Sequence, residues 1–200
     1  MALLFADRGH AGGAGTVSPS AVPPAQGVSM IPGGPAPHVA KPDRMPSGEQ
    51  AMCIPADEGR LDARLRGAIN AEIRWAAPMP QCRGGVRPDA NGVRLVYKGV
   101  VPDSGPLLFV IGIGPLQPGM DASNVPANIT LVREGSGIVF ATQGNDKCSV
   151  DDLRQALVPG SRRTYRITGR GYCTQPARAI AGDGVVVVSR FDFGALVDYP

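Results

Sequence analysis

Between Asp57 and Ala76 the apolar residues Leu61, Leu65, Ala68, Ile69, Ile73 and Ala76 recur at spacings of three and four. That spacing lines one face of an α-helix and leaves Arg60, Asp62, Arg64, Arg66, Asn70 and Arg74 on the others. Pro78 and Pro80 then stop the helix. After a turn-rich stretch holding Gly84, Gly85, Pro88, Asn91 and Gly92, the period changes to two. Val93, Leu95 and Tyr97 alternate with Arg94, Val96 and Lys98, which predicts a half-buried strand. Leu107-Leu108-Phe109-Val110-Ile111 is apolar on both faces and reads as an interior strand. Ile129 and Leu131 alternate with Asn128, Thr130 and Val132, and Glu134-Gly135-Ser136-Gly137 turns the chain into Ile138-Val139-Phe140-Ala141 as a hairpin. The Gly/Pro-rich stretch from Pro115 to Pro126 is a functional loop or a wide connection.

Ser149-Val150-Asp151-Asp152 has the features of a helix start, with Ser149 as N-cap and two acids in the first turn. Leu153, Ala156 and Leu157 supply an apolar face, and Pro159-Gly160 ends this short second helix. Strands follow from Thr164 to Cys173 and from Val185 to Phe193. The order helix, four strands, short helix, two strands predicts an α+β fold. Its antiparallel sheet has about six strands, with the long N-terminal helix packed on one face.

Composition divides the chain. Residues 1–50 hold eight prolines, eight glycines and one aromatic, Phe5, with no apolar run at helix or strand spacing. Such a segment buries too little surface to offset the entropy of ordering it, so it reads as a disordered Pro/Gly-rich tether or leader remnant. Residues 51–200 are long enough for a single disulfide-stabilised domain. Met1-Ala2-Leu3-Leu4-Phe5 is too short for a signal-peptide core, yet Gly9-His10-Ala11-Gly12-Gly13 carries the small residues of a cleavage site. Either a longer apolar leader begins upstream, or Met1 is the true start and the chain stays in the cytoplasm with free thiols. No run of 18 apolar residues is present to span a membrane.

Cys53, Cys82, Cys148 and Cys173 are well spaced, with no Cys-x-x-Cys and no neighbouring histidine. They read as two structural disulfides and place the protein in the periplasm or outside the cell. Pairing Cys148 with Cys173 would staple the second helix to the next strand. A Cys53–Cys82 bridge would have to join the two ends of the long helix. Three connectivities stay open.

Both histidines, His10 and His38, lie in the tether, which removes Ser-His-Asp and Cys-His hydrolases and the usual zinc sets from the domain. No cofactor or metal motif is present. Asn145, Asp146, Asp151 and Asp152 do not match a calcium loop, and Gly112-Ile113-Gly114 lacks the remaining signature of a nucleotide loop. Asn128-Ile129-Thr130 matches a glycosylation sequon within a strand. A net charge of +3, with both signs interspersed, does not call for nucleic acid. Carboxylate chemistry remains open for Asp146, Asp151 and Asp152, or for Asp192 and Asp198.

The most distinctive surface lies in Thr164 to Cys173. Arg166, Thr168, Arg170 and Tyr172 fall on one side of that strand, a cationic and partly aromatic stripe that Arg94 and Lys98 extend if their strand lies alongside. This face suits an acidic protein or an acidic glycan. The sequence therefore reads as an exported binding domain on a tether. A carboxylate-based enzyme and a self-associating envelope component are the alternatives.

Overall fold

The structure is a computed structural model that describes residues 59–76, 81–89 and 91–200, with side chains for all of these except 81–83. The expected tether over 1–50 and the Cys53–Cys82 pairing lie outside the described residues. Within them the fold is all-β, which overturns the α+β expectation and both of its helices. Eleven strands replace the six: β1 (Arg60–Gly67), β2 (Ala71–Ala76), β3 (Gln81–Val86), β4 (Val93–Val101), β5 (Gly105–Ile113), β6 (Val125–Arg133), β7 (Ile138–Ala141), β8 (Cys148–Leu157), β9 (Thr164–Cys173), β10 (Ala177–Ala179) and β11 (Val185–Asp198).

The predicted long helix is the β1–β2 hairpin, with Leu61 opposite Trp75, Ala63 opposite Ile73 and Leu65 opposite Ala71. Residues four apart share a face in a strand as well as in a helix, so Leu61 and Leu65 satisfy both periods. What decides is Leu61-Asp62-Ala63-Arg64-Leu65-Arg66, which alternates strictly once Ala63 is counted as apolar; all three apolar positions are buried. The chain reverses at Gly67, whose φ of 115° favours glycine. There Asn70 Nδ2 donates to the Gly67 carbonyl at 2.9 Å and accepts the Gly67 N–H at 3.1 Å through its Oδ1.

The predicted short helix is strand β8, paired along its length with β9. Val150 stands opposite Gly171 and Asp152 opposite Arg170, so Asp151 is an extra residue in a β-bulge. The bulge moves the buried set from Cys148 and Val150 to Leu153 and Gln155. That three-residue step imitates a helical period. Ser149 caps no helix; its hydroxyl donates to Asp151 Oδ1 at 3.1 Å. The Cys148–Cys173 disulfide is present and joins directly paired positions of β8 and β9.

Hydrogen-bonded pairing runs β11–β3–β4–β5–β6–β8–β9 and returns to β11, closing the sheet into a barrel. Short strands β7 and β10 bridge β6 to β11 as well. The β1–β2 hairpin lies along residues 186–194 of β11. All pairs are antiparallel except the contact of Asp198 with Gly85. Leu65, Tyr97, Phe109, Ile111, Ile129, Phe191 and Phe193 fill the interior as one core. Buried Tyr97 keeps its hydroxyl satisfied by donating to the Gly194 carbonyl at 3.1 Å, tying β4 to β11. Burial pushes the pKa of this phenol up.

Candidate functional site

Strand β11 carries a second bulge. Val188 pairs with Leu65 and Arg190 with Arg64, which leaves Ser189 unmatched. Val186 and Val188 are buried before it, Phe191, Phe193, Ala195 and Val197 after it, while Ser189 and Arg190 are both exposed. On the outer face the strands align charged residues across the barrel wall. Asp152 (β8) faces Arg170 (β9), Arg170 faces Asp192 (β11), Asp192 faces Asp62 (β1) and Asp62 faces Arg74 (β2). Directly opposed residues share a face, so this is one transverse row over five strands.

Asp192 anchors the row. Its oxygens accept Arg170 Nε at 3.1 Å and Arg190 Nε at 2.7 Å, and its side chain is only 11% exposed. Partial burial opposes ionisation, but the bonds from Arg190 and Arg170 outweigh it and hold the carboxyl below its ordinary range. The two arginine side chains remain 65% and 68% exposed. Beside them Glu72 holds three guanidiniums, Arg64 at 3.3 Å, Arg66 at 3.5 Å and Arg74 at 3.8 Å. Asp62, Arg64, Glu72, Arg74, Arg190 and Asp192 surround an open groove of about 270 Å³.

Of the residues singled out in the sequence, Arg166, Thr168, Arg170 and Tyr172 do share the outer face of β9, with Arg170 and Tyr172 exposed and Arg166 and Thr168 half-buried. Arg94 and Lys98 do not join them: β4 is separated from β9 by β11 and β3, and Lys98 pairs with Glu134 at 2.8 Å. Of the groove residues on β1 and β2, the sequence pattern places Asp62, Arg64 and Arg74 on the polar faces of a helix and does not single out Glu72. Their signal was the alternation of charged and apolar residues on either side of the Gly67–Asn70 turn.

The candidate carboxylates do not converge. Asp146 pairs with Lys147 at 3.0 Å, Asp152 with Arg154 at 2.9 Å, and Asp198 with Arg163 at 3.1 Å. Among the described residues no cluster of His, Cys, Asp and Glu could hold a metal ion, and no helix is long and apolar enough to cross a membrane. Gly112 packs against the Asn128 side chain at the end of β5, with no helix following it. The sequon residue Asn128 lies in β6, and its Nδ2 donates to Asn145 Oδ1 at 2.8 Å.

The Pro115 to Pro126 stretch is pinned to β8. Ala122 and Leu153 exchange backbone bonds of 3.0 and 2.9 Å. Gln155 Nε2 donates to the carbonyls of Gln117 at 2.9 Å and Met120 at 2.6 Å, while its Oε1 accepts the Tyr199 hydroxyl at 2.8 Å. Asp121 accepts the Gln155 N–H and an Arg154 bond, which hold its carboxyl below the usual range. No protein-family model, curated protein or solved structure matches this chain.

Proposed function

We propose that this chain is an exported, disulfide-stabilised binding domain, with residues 1–50 as its tether and an acidic partner on the outer face of β9, β11, β1 and β2. The observation that carries the reading is Asp192 holding Arg170 and Arg190 by their Nε atoms, which directs largely exposed guanidiniums at whatever lies on the face. An arginine fixed at Nε loses less freedom on binding an anion than one waving in water. The Cys148–Cys173 bridge favours an oxidising compartment, so a periplasmic or extracellular setting.

An enzyme working by general acid chemistry would need a carboxyl pushed upward. The groove does bring Asp192 beside Asp62, but Asp192 is held down and stays ionised, as a structural anchor does. Binding is therefore the better reading.

Retention of the full chain on immobilised dextran sulfate at physiological salt tests the face. The Arg166→Ala/Arg170→Ala variant is expected to lose at least about tenfold in affinity. An Arg94→Ala/Lys98→Ala control, altering charges three strands away, is expected to bind as the parent does. Equal losses in both variants would mean that only net charge is read and would overturn the assignment. Intact mass from the native host, before and after reduction, tests export: free thiols on a chain starting at Met1 would refute it.

A further inference from the structure

The chemistry of the groove narrows the partner, on the proposed reading that this face binds an acidic one. Its rim is balanced, with three guanidiniums from Arg64, Arg74 and Arg190 and three carboxylates from Asp62, Glu72 and Asp192. Two of those carboxylates, Asp62 and Asp192, are directly opposed neighbours on β1 and β11. A carboxylate is acceptor-only, so it repels the acidic side chain of a peptide but takes a hydroxyl proton in a charge-assisted bond. Guanidiniums do the converse, donating to hydroxyl oxygens or to an acid. A rim that alternates the two therefore matches a ligand rich in groups that both donate and accept, and a sugar ring is the common biological form of one.

Two more observations bear on the same ligand. The last paired position of β9 with β11 is Gly171 opposite Phe191, so Tyr172 follows it on the outer face, level with Arg190. Tyr172 is 42% exposed, one of the few large apolar side chains on the surface of the described residues. Tyr172 is not one of the residues that surround the groove; it stands one strand beyond Arg190, where an exposed phenol offers a flat apolar surface to the C–H face of an adjoining sugar. Outside the balanced rim stand Arg60 and Arg66 on β1 and Arg170 on β9, with Asp152 of β8 beyond Arg170. Arg66 also pairs with Glu72 and Arg170 with Asp192, so the rim carboxylates are outnumbered by guanidiniums. The centre is thus suited to hydroxyls, and the flanks to acidic groups on adjoining units.

We propose that the groove between β1, β2 and β11 is a saccharide subsite, taking one pyranose ring of a uronic-acid-containing glycan. Asp62 accepts ring hydroxyls, Arg74 and Arg190 donate to ring oxygens or to the carboxylate, and Tyr172, on β9 beyond the groove, stacks on the apolar face of the adjoining unit. Arg74, at 81% side-chain exposure, is the most accessible of the donors.

Backbone amide shifts of the full chain, titrated with a uronic-acid tetrasaccharide and separately with a hexaglutamate peptide, test this. The tetrasaccharide is expected to shift amides of Asp62–Arg64, Glu72–Arg74, Tyr172 and Arg190–Asp192 at saturable concentrations. Asp62→Asn is expected to weaken the tetrasaccharide about tenfold, the equivalent of one charge-assisted bond, while leaving hexaglutamate binding unchanged or tighter. Tyr172→Ala is expected to weaken the tetrasaccharide by a similar factor without altering the thermal midpoint. Hexaglutamate that shifts the same amides with equal affinity, or an Asp62→Asn variant that binds the tetrasaccharide more tightly, would overturn the saccharide subsite and leave the acidic-partner reading standing. No saturable shifts with either probe would overturn both.

Discussion

Asp192 shows how one side chain sets the chemistry of a surface. Its carboxylate is mostly covered and shared by Arg170 and Arg190, so both guanidiniums are oriented before any ligand arrives. Because its folded pKa is depressed, its contribution to stability is fully present above the ordinary carboxylate pKa and is lost as the pH falls through the lowered value. Asp192→Asn is accordingly expected to cost about 2 kcal/mol at neutral pH, as for a hydrogen bond to a charged group. The difference from the parent should close in acid. Urea unfolding at neutral and acid pH measures both, and a loss that stays constant with pH would disprove the role of the charge. Asp192 and Arg170 could be picked out in the sequence, but not as partners, since twenty-one residues, with strand β10 among them, separate them.

At the scale of elements, strand identity was legible where residues alternated without a break or ran continuously apolar. Val93 to Tyr97, Leu107 to Ile111, the Ile129–Ala141 hairpin, and Thr164 to Cys173 are strands in the structure as they are in the pattern. It was not legible in β8, where the bulge at Asp151 makes the buried set step by three, whereas the run Val185–Val188 marked β11 as a strand despite its bulge at Ser189. Nor was it legible in β1–β2, where a four-residue repeat fits both periods. Strand β9 carries a further device. Gly169 and Gly171 stand opposite Phe193 and Phe191, whose rings occupy the space a Cβ would need. A Cβ at Gly169 would lie 2.5 Å from Phe193 Cζ. Gly169→Ala is therefore expected to destabilise by about 1–3 kcal/mol through overpacking. Adding Phe193→Leu should recover part of that loss in a denaturant titration; simple additivity would show that the ring is not the cause.

For the whole molecule, closure of the barrel joins β3 and β9 to β11, strands far apart in sequence, while the disulfide reinforces the hairpin of the consecutive strands β8 and β9. It spans 25 residues between β8 and β9. In the chain-entropy model a loop of that size is worth roughly 3–4 kcal/mol. Cys148→Ser/Cys173→Ser should lower the unfolding free energy by about that amount, read from full urea unfolding curves, with an m-value that rises as the unfolded chain expands. A loss under about 1 kcal/mol would mean that the hairpin contacts already restrain the unfolded chain.

The sequence by itself determined which positions are apolar, several of the chain reversals (though not the one at Gly67), that residues 51–200 hold no histidine, and that Arg166, Thr168, Arg170 and Tyr172 fall on one side of β9. These are local properties, set by side-chain type and by the two-residue repeat of a strand. Only the tertiary structure decided that β1 and β2 are strands, that β4 stands away from β9, and that Asp62, Arg74, Arg170, Arg190 and Asp192 meet on one face. Strand order and register come from packing one shared core around two bulges, and a single displaced residue moves every later side chain to the opposite face.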